Sequence, residues 1–161
     1  MSEAAVPGIR RESVLRFFRE RVPGAEGDLR FELISGGRSN LTYRVLGDGR
    51  EWVLRRPPLG HVLPTAHDMA REFRVLSGIA KTRVPAPRPI ALCEDASVND
   101  YPFYVMTYTP GVVLQDSVPP GYAETPEERR RIGEALVETL VELHAVDYVA
   151  VGLGDFGRPE G

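Results

Sequence analysis

One cysteine, Cys93, stands in a chain of 161 residues, so no internal disulfide can form. That excludes a disulfide-stapled scaffold, and a reducing cytoplasm is the expected location. Cys93 itself reads as a small buried thiol near the end of a strand. Long apolar runs are also missing: no stretch approaches the roughly 20 residues that a spanning helix needs. Residues 1–8 have neither the basic start nor the apolar stretch of a signal peptide. An excess of one charge is lacking too, since Lys and Arg number 20 against 23 Asp and Glu, a net charge of −3. The arginines are scattered among carboxylates instead of gathered into a stripe, which argues against a nucleic-acid surface. Neither a membrane nor a nucleic acid is therefore an expected partner. Internal repeats and low-complexity tracts are absent. What remains is a chain of globular composition, long enough for one proper core and too short for two ordinary domains.

Proline and glycine divide it into three stretches. In residues 1–24, Val14, Leu15, Phe17, Phe18 and Val22 recur at helical spacing between Ile9 and Val22, and Pro23-Gly24 ends the pattern, which predicts an amphipathic lead-in helix. In residues 25–109 the period changes to two. Phe31 to Ile34 predicts a strand, Leu41, Tyr43 and Val45 alternate with polar residues, and Gly47-Asp48-Gly49-Arg50 turns the chain into Glu51–Arg55 as a hairpin. A helix follows from about Ala66 to Ile79, with Met69, Phe73, Leu76 and Ile79 on one face and Thr65 or Asp68 at its start. Two further strands are expected at Ile90–Cys93 and Phe103–Tyr108. The order strand, strand, strand, helix, strand, strand predicts an α+β fold, an antiparallel five-stranded sheet with a helix packed on it. Residues 110–161 follow a Thr109-Pro110-Gly111 linker. Thr125-Pro126-Glu127-Glu128 is a helix start of capping-box type, and Ile132, Leu136, Leu140 and Leu143 then line one face of a helix ending near Val146. That stripe has to be covered, and left bare it invites self-association.

Three places carry candidate chemistry. Glycine in Ser35-Gly36-Gly37-Arg38-Ser39-Asn40 lets backbone amides and short polar side chains approach a phosphate, although a plain hairpin turn has the same composition. The loop fits neither the P-loop pattern nor the dinucleotide fingerprint, because a strand follows it. On the strand Glu51–Arg55, Val53 and Arg55 share a face, offering a slim residue against a base and a cation to phosphates; a solvated arginine is the plain alternative. Glu72, on the following helix, is placed to pair with Arg55 or to belong to a solvated face with Arg71 and Arg74. The histidines His61, His67 and His144 have no zinc-site spacing and read as surface, loop or helix-end residues. Asp155-Phe156-Gly157 reproduces the triplet that holds magnesium in protein kinases, but no His-Arg-Asp or His-Gly-Asp loop precedes it, so it reads as a decoy.

Taken in order, SGGRSNLTYRV, EWVLRRPPLG, HDMAREFRVL, YPFYVMTYTPGVVL and ALVETLVELHAVD resemble the N-terminal part of the aminoglycoside phosphotransferase family. The likeness is strongest to the branch akin to phosphotransferase domains found with acyl-CoA dehydrogenases, and it runs from Phe31 to Gly161. It implies a protein-kinase-like N-lobe over residues 25–109 and the first helical segment of a C-lobe over residues 110–161. It also implies roles for residues. Ser35, Gly36, Gly37, Ser39 and Asn40 would cover the ATP phosphates. Arg55 would stand where the family's phosphate-binding lysine usually sits, with Val53 beside it and Glu72 as its carboxylate partner. Met106, Thr107 and Tyr108, with Thr109, would be the hinge that meets adenine. That arginine keeps the charge of the lysine while exchanging a point charge for a planar fork.

The function so implied is the ATP-binding part of a small-molecule phosphotransferase that moves the γ-phosphoryl group to a substrate hydroxyl. The resemblance does not single out an aminoglycoside as acceptor. Catalytic residues and the ligands of Mg²⁺ are expected outside this chain, which alone should be inactive, and the small-molecule site lies mostly in the absent lobe. The alternative expectation is a non-catalytic kinase-like module for binding or assembly.

Overall fold

The computed structural model describes residues 6–34, 40–60, 67–114 and 116–157. Its elements are α1 (Arg11–Arg21), β1 (Arg30–Leu33), β2 (Leu41–Gly47), β3 (Arg50–Arg56), α2 (Met69–Ile79), β4 (Pro89–Cys93), α3 (Ala96–Asn99), β5 (Phe103–Thr107) and α4 (Pro126–His144). By compactness the chain forms two units. Met1–Ser77 with Pro87–Tyr108 is one, and Gly78–Ala86 with Thr109–Gly161 is the other.

The first unit is built on a five-stranded antiparallel sheet in the order β1-β2-β3-β5-β4. Asp48 and Gly49 close the β2–β3 hairpin with φ of 49° and 73°. Positive φ at both central residues matches the right-handed twist of the flanking strands, which explains the Asp-Gly pair. Pro89 begins the edge strand β4, where a missing N–H costs no ladder bond, and the register slips between Pro89 and Ala91.

Strand alternation gives the sheet two dissimilar faces. On one, Tyr43 pairs with Leu54 and Val45 with Trp52, and these join Phe31, Phe103 and Val105 in a core closed by Val14, Phe17 and Phe18 of α1. Phe17 meets Phe103 edge-on at 4.9 Å, and Phe18 meets both Phe31 and Trp52 in the same manner. The predicted lead-in helix is thus one wall of this unit's core. Arg56 ends the same row and is buried. It donates to the carbonyls of Pro57 and Gly8 and lies over the Tyr101 ring, and burial lowers its pKa. Cys93 is buried at the end of β4, and burial pushes its thiol pKa up.

Several boundaries differ from the sequence expectation. α2 begins at Met69, where Asp68 Oδ1 accepts from Arg71 N–H at 2.9 Å; Ala66 and Thr65 lie outside the described residues. The one-turn helix α3 was not expected: Asp95 caps it by accepting from Ser97 N–H at 2.8 Å. β5 stops at Thr107, so Met106 and Thr107 are paired strand residues and only Tyr108 and Thr109 of the expected hinge follow the strand.

In the second unit, α4 has the capping box read from the sequence. Thr125 Oγ1 accepts from Glu128 N–H, and the Glu128 carboxylate accepts from Thr125 N–H at 2.9 Å. Those bonds lower the Glu128 pKa, the backbone bond from Thr125 most. A depressed folded-state value means that this stabilisation is complete above the ordinary glutamate value of 4.5 and lost as pH falls through the folded value. Helical ¹³Cα shifts of residues 126–129 are therefore expected to diminish between pH about 5 and about 2. Their constancy across that range, or an unchanged pH response in Thr125→Ala, would contradict the coupling. Leu136, Val137, Leu140, Val141 and Leu143 of this helix are all exposed. Among the described residues, no helix is long and apolar enough to cross a membrane.

Candidate functional site

The second face of the sheet is polar at its centre. β2 and β3 set Thr42 opposite Arg55, and β3 and β5 set Arg55 opposite Tyr104. Above this row lies α2. Its residue Phe73 packs edge-on against the Tyr104 ring, and this contact fixes which part of the helix overlies the sheet. Glu72, one residue earlier, then projects onto Arg55.

The Glu72 carboxylate is the hub. Its Oε2 accepts from Arg55 Nε at 2.9 Å and from the Tyr104 hydroxyl at 3.0 Å, and its Oε1 accepts from Asn40 Nδ2 at 2.9 Å. Arg55 also donates from Nη1 to Thr42 Oγ1 at 3.1 Å. These bonds engage Nε and Nη1 and hold the guanidinium plane; among the described residues no side chain is shown bonded to Nη2. Arg55 and Glu72 side chains each keep about a third of their surface exposed, at 32% and 34%. An ion pair with that access adds little to the stability of the fold, about 0–1 kcal/mol.

Proton positions follow from chemistry. A carboxylate only accepts, so Asn40 must present Nδ2 to Glu72 and Oδ1 to His67, whose Nδ1 stands 2.7 Å away. Within this network His67 Nδ1 therefore carries the proton and donates. Tyr104 is buried, and its pKa is raised strongly, first by burial and then by the adjacent Glu72 charge. It remains a hydroxyl donor to the carboxylate throughout the physiological range.

Of the residues singled out from sequence, Arg55, Glu72 and Asn40 meet in one network. Val53 is buried one row over, opposite Met106. Asn40 has only 6% of its surface exposed and spends its amide on Glu72 and His67, so it braces the network from within. Ser35, Gly36, Gly37 and Ser39 lie outside the described residues. Three participants were missed: Thr42, Tyr104 and His67. Tyr104 reads as an ordinary core aromatic, and only its register opposite Arg55 singles it out. His67 had been read as a surface or loop residue, and its proximity to Asn40 comes from the tertiary fold. Asp155, Phe156 and Gly157 form part of a turn in which Phe156 N–H donates to Leu153 O at 3.0 Å. Among the described residues, no group of three His, Cys, Asp or Glu side chains is arranged to hold a metal ion.

Comparison with known proteins agrees with this architecture. The family model described as phosphotransferase enzyme family matches residues 30–161. Acyl-CoA dehydrogenase family member 10 of Mus musculus is 41% identical over 122 residues, covering 76% of this chain and 11% of the relative. Acyl-CoA dehydrogenase family member 11 of Rattus norvegicus is 35% identical over 153 residues, covering 92% of this chain and 19% of the relative. The chain thus spans a fifth or less of those relatives. A crystal structure from Ralstonia eutropha JMP134, assigned to the aminoglycoside phosphotransferases, superposes with a TM-score of 0.74 at 37% identity, over 92% of this chain and 42% of that one. Aminoglycoside phosphotransferase APH(4)-Ia, at 17% identity and a TM-score of 0.53 over 84% of this chain and 40% of that one, shares the fold. With a five-stranded antiparallel sheet, an arginine on its third strand and a partner glutamate on the helix that follows, the chain is α+β of the kinase-like type and belongs to the phosphotransferase enzyme family.

Proposed function

We propose that the Arg55 face of the sheet binds the phosphates of ATP, and that the chain is the nucleotide-binding part of a kinase that phosphorylates a hydroxyl of a small molecule. The observation that carries this reading is the Arg55–Glu72 pair, at 2.9 Å, held between β3 and α2. Phosphoryl transfer asks the protein chiefly to position phosphates and neutralise their charge, and a cation held extended by a helix carboxylate does both. In this reading Ser35, Gly36, Gly37 and Ser39 close over the phosphates, and Asn40 braces Glu72. Val53 lies against the base, with Met106, Thr107 and Tyr108 along its edge. The cation fits a triphosphate, whose oxyanions a guanidinium held by Glu72 and Thr42 can meet. Magnesium would neutralise the transferring phosphoryl group and would be held by residues beyond those described. No His-Arg-Asp or His-Gly-Asp loop occurs in the 161 residues, so the proposal assigns this chain binding and orientation, without a catalytic base.

Titration of the full chain with MgATP and with adenosine tests the reading. ATP is expected to bind and adenosine to bind far more weakly, because the phosphates carry the interaction. Glu72→Ala is expected to weaken ATP about fivefold: Arg55 keeps its charge and loses the partner that orients it, a loss of about 1 kcal/mol, the net scale of one ordinary hydrogen bond. Equal affinity for ATP and adenosine, or an unaltered affinity in Glu72→Ala with its melting temperature preserved, would count against it.

The exposed apolar residues of α4 favour a second reading, a kinase-like module for assembly. A mass by light scattering that rises with concentration, in samples that bind no nucleotide, would move the assignment to that reading.

A further inference from the structure

One row along the same sheet face from Arg55 lies a second ordered arginine. β2 sets Arg44 opposite Val53, and β3 sets Val53 opposite Met106, so Arg44, Val53 and Met106 form a continuous cross-strand row. It runs beside the row of Thr42, Arg55 and Tyr104, displaced by two residues along each strand, or about 7 Å. The Arg44 guanidinium is gripped along its edge by Glu51, with Nε to Oε2 at 3.1 Å and Nη2 to Oε1 at 2.5 Å. It also lies over the ring of Tyr108, with Cζ 4.7 Å from the ring centroid. Tyr108 is the first residue after β5, beside Thr107 and Met106.

Edge contact with a carboxylate and face contact with a ring fix a guanidinium in both position and plane. Both Arg44 and Glu51 keep 33% of their side-chain surface open to solvent, so the plane is held where a ligand can reach it. The Glu51 bonds also raise the Arg44 pKa, so it stays cationic at every physiological pH. A planar, weakly hydrated cation stacks on heteroaromatic rings, and the Tyr108 ring behind it holds its plane for a ring arriving on the other face. Held this way before any ligand arrives, the pair avoids the ordering cost of a mobile side chain.

We propose that Arg44 and Tyr108 form the base-recognition element of the nucleotide site, a platform on which a purine ring stacks, so that this face prefers purine over pyrimidine triphosphates. The inference rests on the proposed reading of Arg55 as the phosphate cation and of Val53 and Met106 as residues beside the base, which puts the base in the row that includes Arg44. Glu51 is a positioning residue that sets the guanidinium plane. Stacking area, larger for a two-ring base than for a one-ring base, supplies the preference.

The test compares dissociation constants of MgATP and MgUTP for the full chain and for Arg44→Lys, Arg44→Met and Tyr108→Leu. Lysine keeps the charge and lacks the plane. All three variants are therefore expected to bind ATP about tenfold more weakly, with a smaller loss for UTP, so that the wild-type ATP preference shrinks. Melting curves identify any variant that has lost its fold, and Arg44→Lys, the mildest, keeps the test decisive. An ATP-to-UTP ratio unchanged in folded Arg44→Lys, while Arg55→Ala still weakens both nucleotides alike, overturns the Arg44 inference and leaves the phosphate reading standing. Failure of the wild-type chain to bind either nucleotide overturns both.

Discussion

Replacing Arg55 with alanine is expected to weaken MgATP binding roughly 10- to 150-fold, the scale of one to two hydrogen bonds between charged partners at about 1.5–3 kcal/mol. The loss has two sources. The cation proposed to meet the phosphates is removed, and Glu72 loses the donor that offsets its own negative charge, so a carboxylate would then face an incoming triphosphate. The fold should barely notice. The pair is about one-third exposed, and Glu72 keeps Asn40 and Tyr104 as donors, so the melting temperature should stay within a few degrees of wild type. Arg55→Lys separates charge from geometry. A lysine restores the charge and loses the fork that engages Glu72 and Thr42 together, so its affinity should fall between wild type and alanine. Calorimetric titration measures all three. An alanine variant that binds ATP like wild type would remove Arg55 from the site.

The largest effect on stability is expected at Phe18. Phe18→Ala should cost about 3–5 kcal/mol, because the ring is fully buried and a cavity would open between α1 and the sheet. Its edge-on contacts with Phe31 and Trp52 add an aromatic component beyond area. Against a domain stability of roughly 5–15 kcal/mol, that loss brings the first unit close to unfolding at ambient temperature. Arg19→Ala, one residue on and exposed, should stay within about 0.5 kcal/mol of wild type. Urea denaturation followed by Trp52 fluorescence reads both. A Phe18→Ala midpoint close to that of Arg19→Ala would mean that α1 is not a wall of the core.

What the residues announced in advance follows how local each signal is. The five strands were legible because each is a short apolar run bounded by turn residues, with clear alternation at Leu41, Tyr43 and Val45. The α4 start was legible for the same reason: Thr125, Pro126 and Glu128 carry out their capping within four residues of chain. Arg55 and Glu72 stand 17 residues apart; their placement on a strand and the following helix left pairing open beside a solvated face, and the family resemblance favoured the pairing. Tyr104 and His67 reach the same network from a strand and from two residues before α2, and no local pattern marks them. Asn40 was legible as a loop residue, but its inward turn depends on the position of α2. Met106 and Thr107 were assigned to a hinge because Thr109, Pro110 and Gly111 follow them. Pairing with Val53 and Trp52 instead carries the strand through Thr107.

The central claim is that phosphates meet the sheet at Arg55. Its Nε–H donates to Glu72 Oε2 at 2.9 Å and should give a distinct ¹⁵N–¹H resonance, assignable by its loss in Arg55→Lys. Following that resonance during parallel titrations with MgATP and adenosine tests the claim most directly. The account predicts a saturable shift with MgATP, at the same midpoint as calorimetry, and little change with adenosine. Saturable binding of MgATP that shifts backbone signals elsewhere and leaves the Arg55 Nε–H unmoved would contradict it.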